Sequence, residues 1–296
     1  MSKDINVQGQ NKVNLVGKLV DVTFRNGKLE GGSEYESANM TVRVTQSYGG
    51  REETSDVPAG MFVSKYTKTG GINPGWTQLQ DLKNFKTVQA VGLNDATTIR
   101  ISNGSIRENN FVSRSGQMIN GWQVNTSFVG ATTNMADTAS FIMDIFIMDM
   151  LDETDRNGDT TGRMLIKGAV VQYGAKLDVL MFVVEQPEAI DFIQRNWNIN
   201  DTVTVKGRIR VTAIEEKPVT SSWGEDIPET SVRTVRELII TTGDDTGKEE
   251  EFAYAPEDIK KLYQARKARQ EQMQIDATHK SAPASANTSA NKYAWN

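Results

Sequence analysis

A strand predicted over residues 201–214 carries three cations along one face. Apolar and polar residues alternate in the run DTVTVKGRIRV, and successive side chains of a strand point to opposite sides, so Lys206, Arg208 and Arg210 share one face. Like charges on one strand face repel each other, whereas a polyanion lying across the strand would neutralise them. The spacing therefore predicts phosphate contacts, and joint replacement of the three cations by alanine is expected to weaken binding without unfolding. The alternative is a solvated face that acidic neighbours such as Glu237 neutralise.

Proteins that bind single-stranded nucleic acid combine cationic grooves with aromatic side chains on which bases stack. In the N-terminal part of the chain, the candidate cations are Arg25, Lys28, Arg43, Arg51, Lys65, Arg100 and Arg107, and the candidate aromatics are Phe24, Tyr35, Tyr48, Tyr66, Trp76, Phe111 and Trp122. In the part that follows, the further candidates are Lys167, Lys176, Arg233, Arg236, Tyr173 and Trp223. Other aromatics lie in apolar periodic runs and are assigned to the core: Phe62, Phe85, Phe141, Phe146, Phe182 and Trp197.

Residue types that perform acid–base, nucleophilic or metal chemistry are scarce. Cysteine is absent, the one histidine is His279 in the C-terminal tail that is predicted to be disordered, and no glycine-rich phosphate-binding loop is present. The run DRNGD at residues 155–159 has the acidic spacing of a calcium loop, but Thr160 and Ile166 stand where such a loop needs glycine and glutamate. We therefore expect a hairpin turn at this run, no metal, no cofactor and no enzymatic activity.

The net charge of −5 over 296 residues is unevenly distributed. Residues 1–134 hold 14 Lys and Arg against 11 Asp and Glu, a charge of +3, whereas residues 135–243 hold 11 against 18, a charge of −7. Acidic loops supply much of the negative charge, so a basic face is compatible with the acidic total. No apolar run is long enough to span a membrane and no secretion signal is recognisable, which predicts a cytoplasmic protein without membrane contact.

Hydrophobic periodicity predicts three strands, a helix and two strands, and it predicts this order twice. The first set comprises strands at 11–24, 35–46, 53–66, 95–112 and 121–130 with a helix at 78–91, and the second comprises strands at 139–150, 163–173, 175–184, 201–214 and 232–242 with a helix at 187–197. This is the order of the OB-fold, a small Greek-key barrel that binds oligonucleotides or oligosaccharides. The sequence thus predicts a mainly β protein with two tandem OB-fold-like barrels, at 1–134 and 135–243.

The composition changes after residue 243. Residues 244–275 are predicted to form an acidic linker and a helix, which carries a narrow apolar stripe at Ile259, Leu262 and Tyr263. This stripe either drives self-association or docks on the barrels, and the sequence leaves the oligomeric state open. Residues 276–296 are rich in Ala, Ser, Asn and Thr and are predicted to be disordered.

Two runs of the C-terminal half carry a family resemblance. The run GRMLIKGAVVQYGAKLDVLMFVVEQPEAIDFIQRNWNINDTVTVKGRIRV at 162–211, with RTVRELIIT at 233–241, resembles single-stranded DNA-binding proteins of phages that infect Gram-positive bacteria. The resemblance covers residues 100–243 well and the N-terminal part more loosely. It implies coating of single-stranded DNA during replication or recombination, with replication or recombination proteins as further partners through the C-terminal tail. That tail ends in NKYAWN and lacks the acidic tip closed by Phe that is typical of bacterial relatives.

The leading hypothesis is a sequence-tolerant single-stranded DNA-binding protein without enzymatic activity. It predicts affinity that falls linearly with salt on logarithmic scales, because bound cations displace counterions from the nucleic acid. A virion or scaffold protein is the alternative from another class, favoured by the acidic balance, the long apolar strand at 139–150 and the terminal helix. A carbohydrate-binding module would use the same aromatics without the cationic row, and a nuclease would need a recognisable metal cluster.

Overall fold

Alternation of apolar and polar residues produces thirteen strands in the computed structural model, which describes residues 2–29, 32–113, 116–155, 157–216 and 231–281. The first eight strands are β1 (Asn11–Lys28), β2 (Glu34–Tyr48), β3 (Arg51–Ser64), β4 (Thr98–Glu108), β5 (Phe111–Val112), β6 (Met118–Ile119), β7 (Trp122–Thr126) and β8 (Gly130–Ala131). The others are β9 (Thr138–Thr154), β10 (Thr160–Gln172), β11 (Lys176–Val184), β12 (Thr202–Glu216) and β13 (Ser231–Gly243). The helices are α1 (Pro74–Leu82), α2 (Val88–Val91), α3 (Pro187–Asn196) and α4 (Pro256–Ser281).

Five strands close into a barrel on each side of the molecule. In the first barrel, the antiparallel pairs β1–β2, β2–β3, β4–β7 and β1–β4 are completed by the parallel pair β3–β7. In the second barrel, the antiparallel pairs β9–β10, β10–β11, β12–β13 and β9–β12 are completed by the parallel pair β11–β13. A helical segment joins the third and fourth strands of each barrel. The predicted mainly β fold with OB-fold-like barrels and a C-terminal helix is confirmed.

The two barrels share one continuous sheet because their first strands pair with each other. β1 and β9 are antiparallel neighbours within an 11-stranded sheet. A single cluster of buried apolar side chains extends through both barrels, from Leu15 in β1 to Phe182 in β11. The barrels are therefore fixed side by side, and the division of the chain at residue 134 stays a prediction.

Helix α4 packs on the outer face of the second barrel. Ile259 and Leu262 are buried there against Phe146 of β9, Val171 of β10 and Leu177 of β11. Of the two alternatives for the apolar stripe, the structure shows docking on the chain's own barrel. The prediction of disorder over residues 276–296 is wrong for residues 276–281, which form the last turns of α4, and the rest of that tail lies outside the described residues.

The helix predicted over residues 78–91 is wrong in extent. The structure has α1 and α2 in this region, with a break between them. α1 begins after Asn73, because the side-chain oxygen of Asn73 accepts a hydrogen bond from the Gly75 backbone N–H at 3.0 Å and so caps the first turn. The capping signal Asn-Pro precedes the apolar spacing on which the prediction depended.

The assignment of Phe62 to the core is also wrong. Its side chain is 55% exposed, because its neighbours Met61 and Val63 face the core and strand alternation then turns Phe62 outward. The other aromatics assigned to the core are buried in the core clusters or packed against them.

Residue 155 and residues 157–159 lie in the predicted hairpin turn between β9 and β10. The Asp155 carboxylate accepts hydrogen bonds from the backbone N–H groups of Asn157, at 2.8 Å, and Asp159, at 3.0 Å. Within the described ranges, no cluster of His, Asp or Glu has the arrangement to hold a metal ion. None of the helices in the same ranges is long and apolar enough to cross a membrane.

Candidate nucleic-acid interface

Arg208 and Arg210 lie in an internal ion-pair cluster. Arg208 is 8% exposed and bonds to Glu53 and, at 2.9 Å, to Glu185. Arg210 donates to Glu237 at 2.7 Å and pairs also with Glu185. The premise that the fold leaves the cationic row unneutralised is therefore wrong for these two arginines. A phosphate contact by either stays a prediction, and it would have to displace carboxylates.

The same cluster joins the two barrels. Tyr48 lies at the end of β2 with its ring centre 4.2 Å from the Arg208 guanidinium, and Glu53 belongs to β3, so the first barrel supplies two contacts to β12 of the second. Arg163 of β10 extends the cluster by bonding to Glu153 at 2.6 Å. We call this set the inter-barrel cluster: Tyr48, Glu53, Glu153, Arg163, Glu185, Arg208, Arg210 and Glu237. Tyr48, predicted to stack on bases, stacks here on an arginine.

The inter-barrel cluster couples stability to carboxylate ionisation. Hydrogen bonds from Arg163 hold the pKa of Glu153 below its ordinary value of 4.5. Burial raises the pKa of Glu185, but the hydrogen bond and charge of Arg210 outweigh burial, so this pKa also lies below 4.5. A depressed folded-state pKa contributes stability that is present above the unfolded value and is lost as the pH falls through the folded value.

We therefore expect the free energy of unfolding to fall as the pH is lowered from about 5 to about 3, since the unfolded carboxylates take up protons first. Urea denaturation at a series of pH values measures this. The variant Glu185→Gln removes one titrating group, so its stability should be lower at neutral pH and should depend less on pH over the same interval. If the free energies of unfolding of the wild type and of Glu185→Gln fell in parallel with pH, other carboxylates would be responsible for the acid sensitivity.

Several other predicted contacts are engaged within the protein. Arg107 donates to Asp178 at 2.8 Å and so forms a further ion pair between the barrels. Arg43 makes a bidentate pair with Asp56, at 2.8 and 2.7 Å. Trp122 is 7% exposed and belongs to the core cluster, so its ring is not available to a base and the stacking prediction is wrong. Trp223, another tryptophan predicted to stack on bases, lies outside the described residues.

The predicted residues of the second barrel are separated by helix α4. Tyr173 is 81% exposed in the turn between β10 and β11, and Lys176 is exposed close by at the start of β11. Lys167 is half-buried, with its ammonium 5.7 Å from the ring centre of Tyr263 in α4. Because α4 covers part of the outer face of β10 and β11, the structure does not bring these residues together as one groove.

An aromatic patch lies on the outside of the first barrel, where β2 begins and β3 ends. Tyr35 and Phe62 stack with ring centres 5.0 Å apart and an interplanar angle of 29°. The Tyr35 ring lies against Gly27 of β1, where an added Cβ atom would approach the ring to 2.8 Å, so a side chain at this position would displace the ring. We define the aromatic patch as Phe24, Tyr35, Phe62, Tyr66 and Trp76.

Lysines flank the aromatic patch. The Lys65 ammonium lies 5.6 Å from the Tyr66 ring centre and 5.9 Å from that of Trp76, and Glu34 holds it there at 2.6 Å. Lys83 of the α1–α2 connection lies 5.6 Å from the Phe24 ring centre. Both lysines are paired with carboxylates, Lys65 with Glu34 and Lys83 with Glu36 at 2.6 Å, so a phosphate bound here would have to displace these acids. The exposed rings of Phe62 and Tyr66 can stack bases, and the lysines lie close enough to pair with the phosphates between those bases.

Two hollows extend the aromatic patch across the barrel surface. A cleft of about 410 Å³ is lined by Lys28, Tyr35, Trp76 and Lys83 among others. Beside it, a polar groove of about 440 Å³ begins at Phe62 and crosses β2, β3, β7 and β4. The polar side chains of this groove are Ser37, Asn39, Asn103, Ser105, Gln123, Asn125, Thr126 and Ser127. Amides and hydroxyls of this kind donate and accept hydrogen bonds, as the edges of unpaired bases require.

Sequence reasoning identified part of this surface. It named Phe24, Tyr35, Tyr66 and Trp76, but it missed Phe62 and all the amides of the polar groove. Strict alternation within β3 was the signal that placed Phe62 outside. Lone amides and hydroxyls on strands carry no comparable signal, since they are ordinary surface residues.

Lys206 and Arg100 lie apart from these features, on exposed surface where the two barrels meet. Neither side chain forms an ion pair with any residue that the structure describes. Lys206 is thus the member of the predicted cationic row that remains available to a polyanion.

Comparison with known proteins gives one family and one fold. A family model described as YorF matches residues 10–278. The crystal structure of wild-type single-stranded DNA binding protein from Thermus aquaticus superposes with a TM-score of 0.51 at 13% identity, covering 84% of this chain and 98% of that one. A deletion mutant of the same Thermus protein gives a TM-score of 0.48, also at 13% identity and with the same coverage. No curated protein matches the chain. At such low identity, the similarity to the Thermus protein establishes the fold.

Proposed function

The chain belongs to the YorF family, and we propose that it binds single-stranded DNA, without sequence preference, on the outer face of the first barrel. The observation that carries this proposal is the stacked pair of Tyr35 and Phe62 beside lysines, in which Phe62 is 55% exposed and Tyr35 is half-buried. An aromatic ring in contact with water is less favourable than a covered one, and cations beside it suit a ligand that is both flat and anionic. Unpaired nucleotides have both properties.

Binding follows from the position of each group. Bases stack on Tyr35 and Phe62, and the Lys28 ammonium neutralises a phosphate along the cleft. Lys65 does the same beside the cleft by exchanging the Glu34 carboxylate for a phosphate. The polar groove spans four strands, roughly 15 Å at the usual strand spacing, and its amides bond to base edges without a fixed pattern. Duplex DNA stacks and pairs its own bases, so it cannot use this surface.

A wider role follows from the same proposal. We propose a non-enzymatic part in DNA replication or recombination, in the cytoplasm of a cell that a phage infects. The resemblance of residues 162–211 to phage single-stranded DNA-binding proteins supports this role, as does the fold shared with the Thermus protein. Replication or recombination proteins are proposed as partners of the C-terminal tail at 276–296.

The proposal predicts a salt-dependent fluorescence change. Stacking of bases beside Trp76 should quench intrinsic tryptophan emission during titration with oligo-dT. The logarithm of the affinity should fall with the logarithm of salt concentration, with a slope of about −0.7 for each phosphate neutralised. The measurement is a titration at several salt concentrations, with a duplex of equal length as control.

Two outcomes would contradict the proposal. If oligo-dT caused no quenching and no gel shift at low salt, the protein would not bind single strands. If duplex and single strand bound equally, stacking on the aromatic patch would not be the basis of recognition.

A further inference from the structure

The polar groove does not end at β4, because a β-bulge turns two consecutive side chains outward there. In the pairing of β1 with β4, Val13 lies opposite Gly104 and Leu15 opposite Ile101, so two residues of β4 face one residue of β1. The two residues are Ser102 and Asn103, and both are exposed. Asn103 lines the polar groove, and Ser102 lines a second depression of about 420 Å³. The bulge therefore connects the polar groove with this second depression.

The second depression lies across the junction of the barrels. Its lining includes Lys12 of β1, Ile142 of β9 and Lys206 of β12. Ile142 is the sheet partner of both lysines, so the two cations stand in line across three strands, about 10 Å apart at the usual strand spacing. One barrel contributes Lys12 and the other contributes Lys206.

Arg100 completes a cationic seam with these lysines. It is exposed on β4, two residues before the bulge. We define the cationic seam as Lys12, Arg100 and Lys206. All three side chains are exposed, and none forms an ion pair within the described ranges.

Other parts of the sheet neutralise such cations. Arg208 follows Lys206 on the same strand face and is enclosed by Glu53 and Glu185. The second depression, which Lys12 and Lys206 line, has no carboxylate among its lining residues. A surface with unpaired cations suits a polyanionic ligand.

The corresponding route on the second barrel is closed. Helix α4 covers the outer face of β10 and β11 with Ile259 and Leu262, and the surface beneath it is apolar. The bulge instead leads a DNA strand from the polar groove to the depression that Lys12 and Lys206 line.

We infer that single-stranded DNA crosses the β4 bulge and continues onto the cationic seam, where Lys12, Arg100 and Lys206 bind the phosphates of the same strand. The inference deepens the proposed function and depends on it. The rings of the aromatic patch lie outside this region, so the seam contacts the backbone and adds affinity only when the oligonucleotide is long enough to reach it.

The test compares oligo-dT of about 8 nucleotides, within the range that one barrel binds, with oligo-dT of about 30 nucleotides. The variant Lys12→Ala/Arg100→Ala/Lys206→Ala should bind the long oligonucleotide about tenfold or more weakly, and the magnitude of its salt slope should fall by about 2, from three lost phosphate contacts. Its affinity for the short oligonucleotide should match that of the wild type. The variant Lys260→Ala/Lys261→Ala/Arg269→Ala removes equal charge from exposed positions on α4 and should bind both lengths normally.

The outcomes separate the inference from the proposed function. If the wild type binds neither oligonucleotide, the proposed function fails. If the wild type binds both and the seam variant binds both equally well, the inference is overturned while the proposed function stands. If the seam variant instead shifts a self-association equilibrium in sedimentation, with no change in DNA affinity, the surface is an interface between copies of the chain and the inference is again overturned.

Discussion

Replacing Phe62 with alanine is expected to lower the affinity for oligo-dT by about 5- to 150-fold, the usual contribution of one stacked base. The side chain is 55% exposed and stacks on Tyr35, so its removal takes away a face for a base while leaving the barrel core intact. The free energy of unfolding should change little, because an exposed ring contributes little buried apolar area. Fluorescence anisotropy with labelled oligo-dT measures the affinity, and urea denaturation measures the stability.

A matched control is present in the same chain. Phe252 is also 55% exposed, in the short 3-10 helix that precedes α4. The variant Phe252→Ala removes an identical side chain of equal exposure and should bind oligo-dT as the wild type does. The conservative variant Phe62→Tyr keeps a ring for stacking and should retain most of the affinity. Equal affinities for the alanine variants of Phe62 and Phe252 would remove the aromatic patch from the binding site.

Tyr35 tests whether the stacked pair acts as a unit. Its ring lies between Gly27 and Phe62, so the variant Tyr35→Ala removes the support of Phe62 as well as one stacking face. The double variant Tyr35→Ala/Phe62→Ala should therefore lose less binding free energy than the sum of the two single losses, since the effects of substitutions at residues in contact do not add.

The barrels could be predicted from the sequence because their strands alternate locally. In β12, Val203, Val205, Ile209 and Val211 are buried as the alternation requires, and Lys206 is exposed. The prediction applied the same alternation to Arg208 and expected its side chain to be exposed and to contact a phosphate. It failed to anticipate the neutralising contact because Glu53 lies 155 residues away in the chain, and periodicity contains no information about such pairs.

The docking of α4 could be predicted in part from the sequence. The stripe at Ile259, Leu262 and Tyr263 indicated one apolar face, but it did not indicate what the face covers. A second signal is the nearly continuous apolar run ASFIMDIFIMDM at 139–150, which favoured an assembly protein as the alternative. Strands that are buried on both faces show such runs. Phe146 lies under α4 while Ile145 faces the barrel core, so the run fits intramolecular packing.

Replacing Arg208 with alanine is expected to lower the free energy of unfolding by about 3–5 kcal/mol, the usual effect of removing one partner from a buried ion pair. The arginine side chain is 10% exposed and contacts Glu53 and Glu185, whose carboxylates would lose a counter-charge within the interface. The Tyr48 ring would also lose its partner at 4.2 Å. Urea denaturation followed by circular dichroism measures the loss.

Lys206→Ala is the internal control, because it removes a cation two positions earlier on the same strand face. That side chain is exposed and has no ion pair in the described part of the chain, so stability should change by less than about 0.5 kcal/mol. The joint alanine variant of Lys206, Arg208 and Arg210 should consequently lose binding through unfolding, which reverses the expectation drawn from the alternating pattern.

A double-mutant cycle separates the ion pair from simple loss of packing. If Arg208 stabilises the interface by pairing with Glu53, then Arg208→Met/Glu53→Gln should be more stable than the sum of the single effects indicates, since neither charge is left unpaired. Additive effects would mean that Glu53 is not the partner through which Arg208 stabilises the interface, which leaves Glu185, the Tyr48 ring and the apolar stem of the arginine. Arg208→Ala with wild-type stability and weakened oligo-dT binding would instead return this arginine to the phosphate-binding role. The inter-barrel cluster would then have to open when DNA binds.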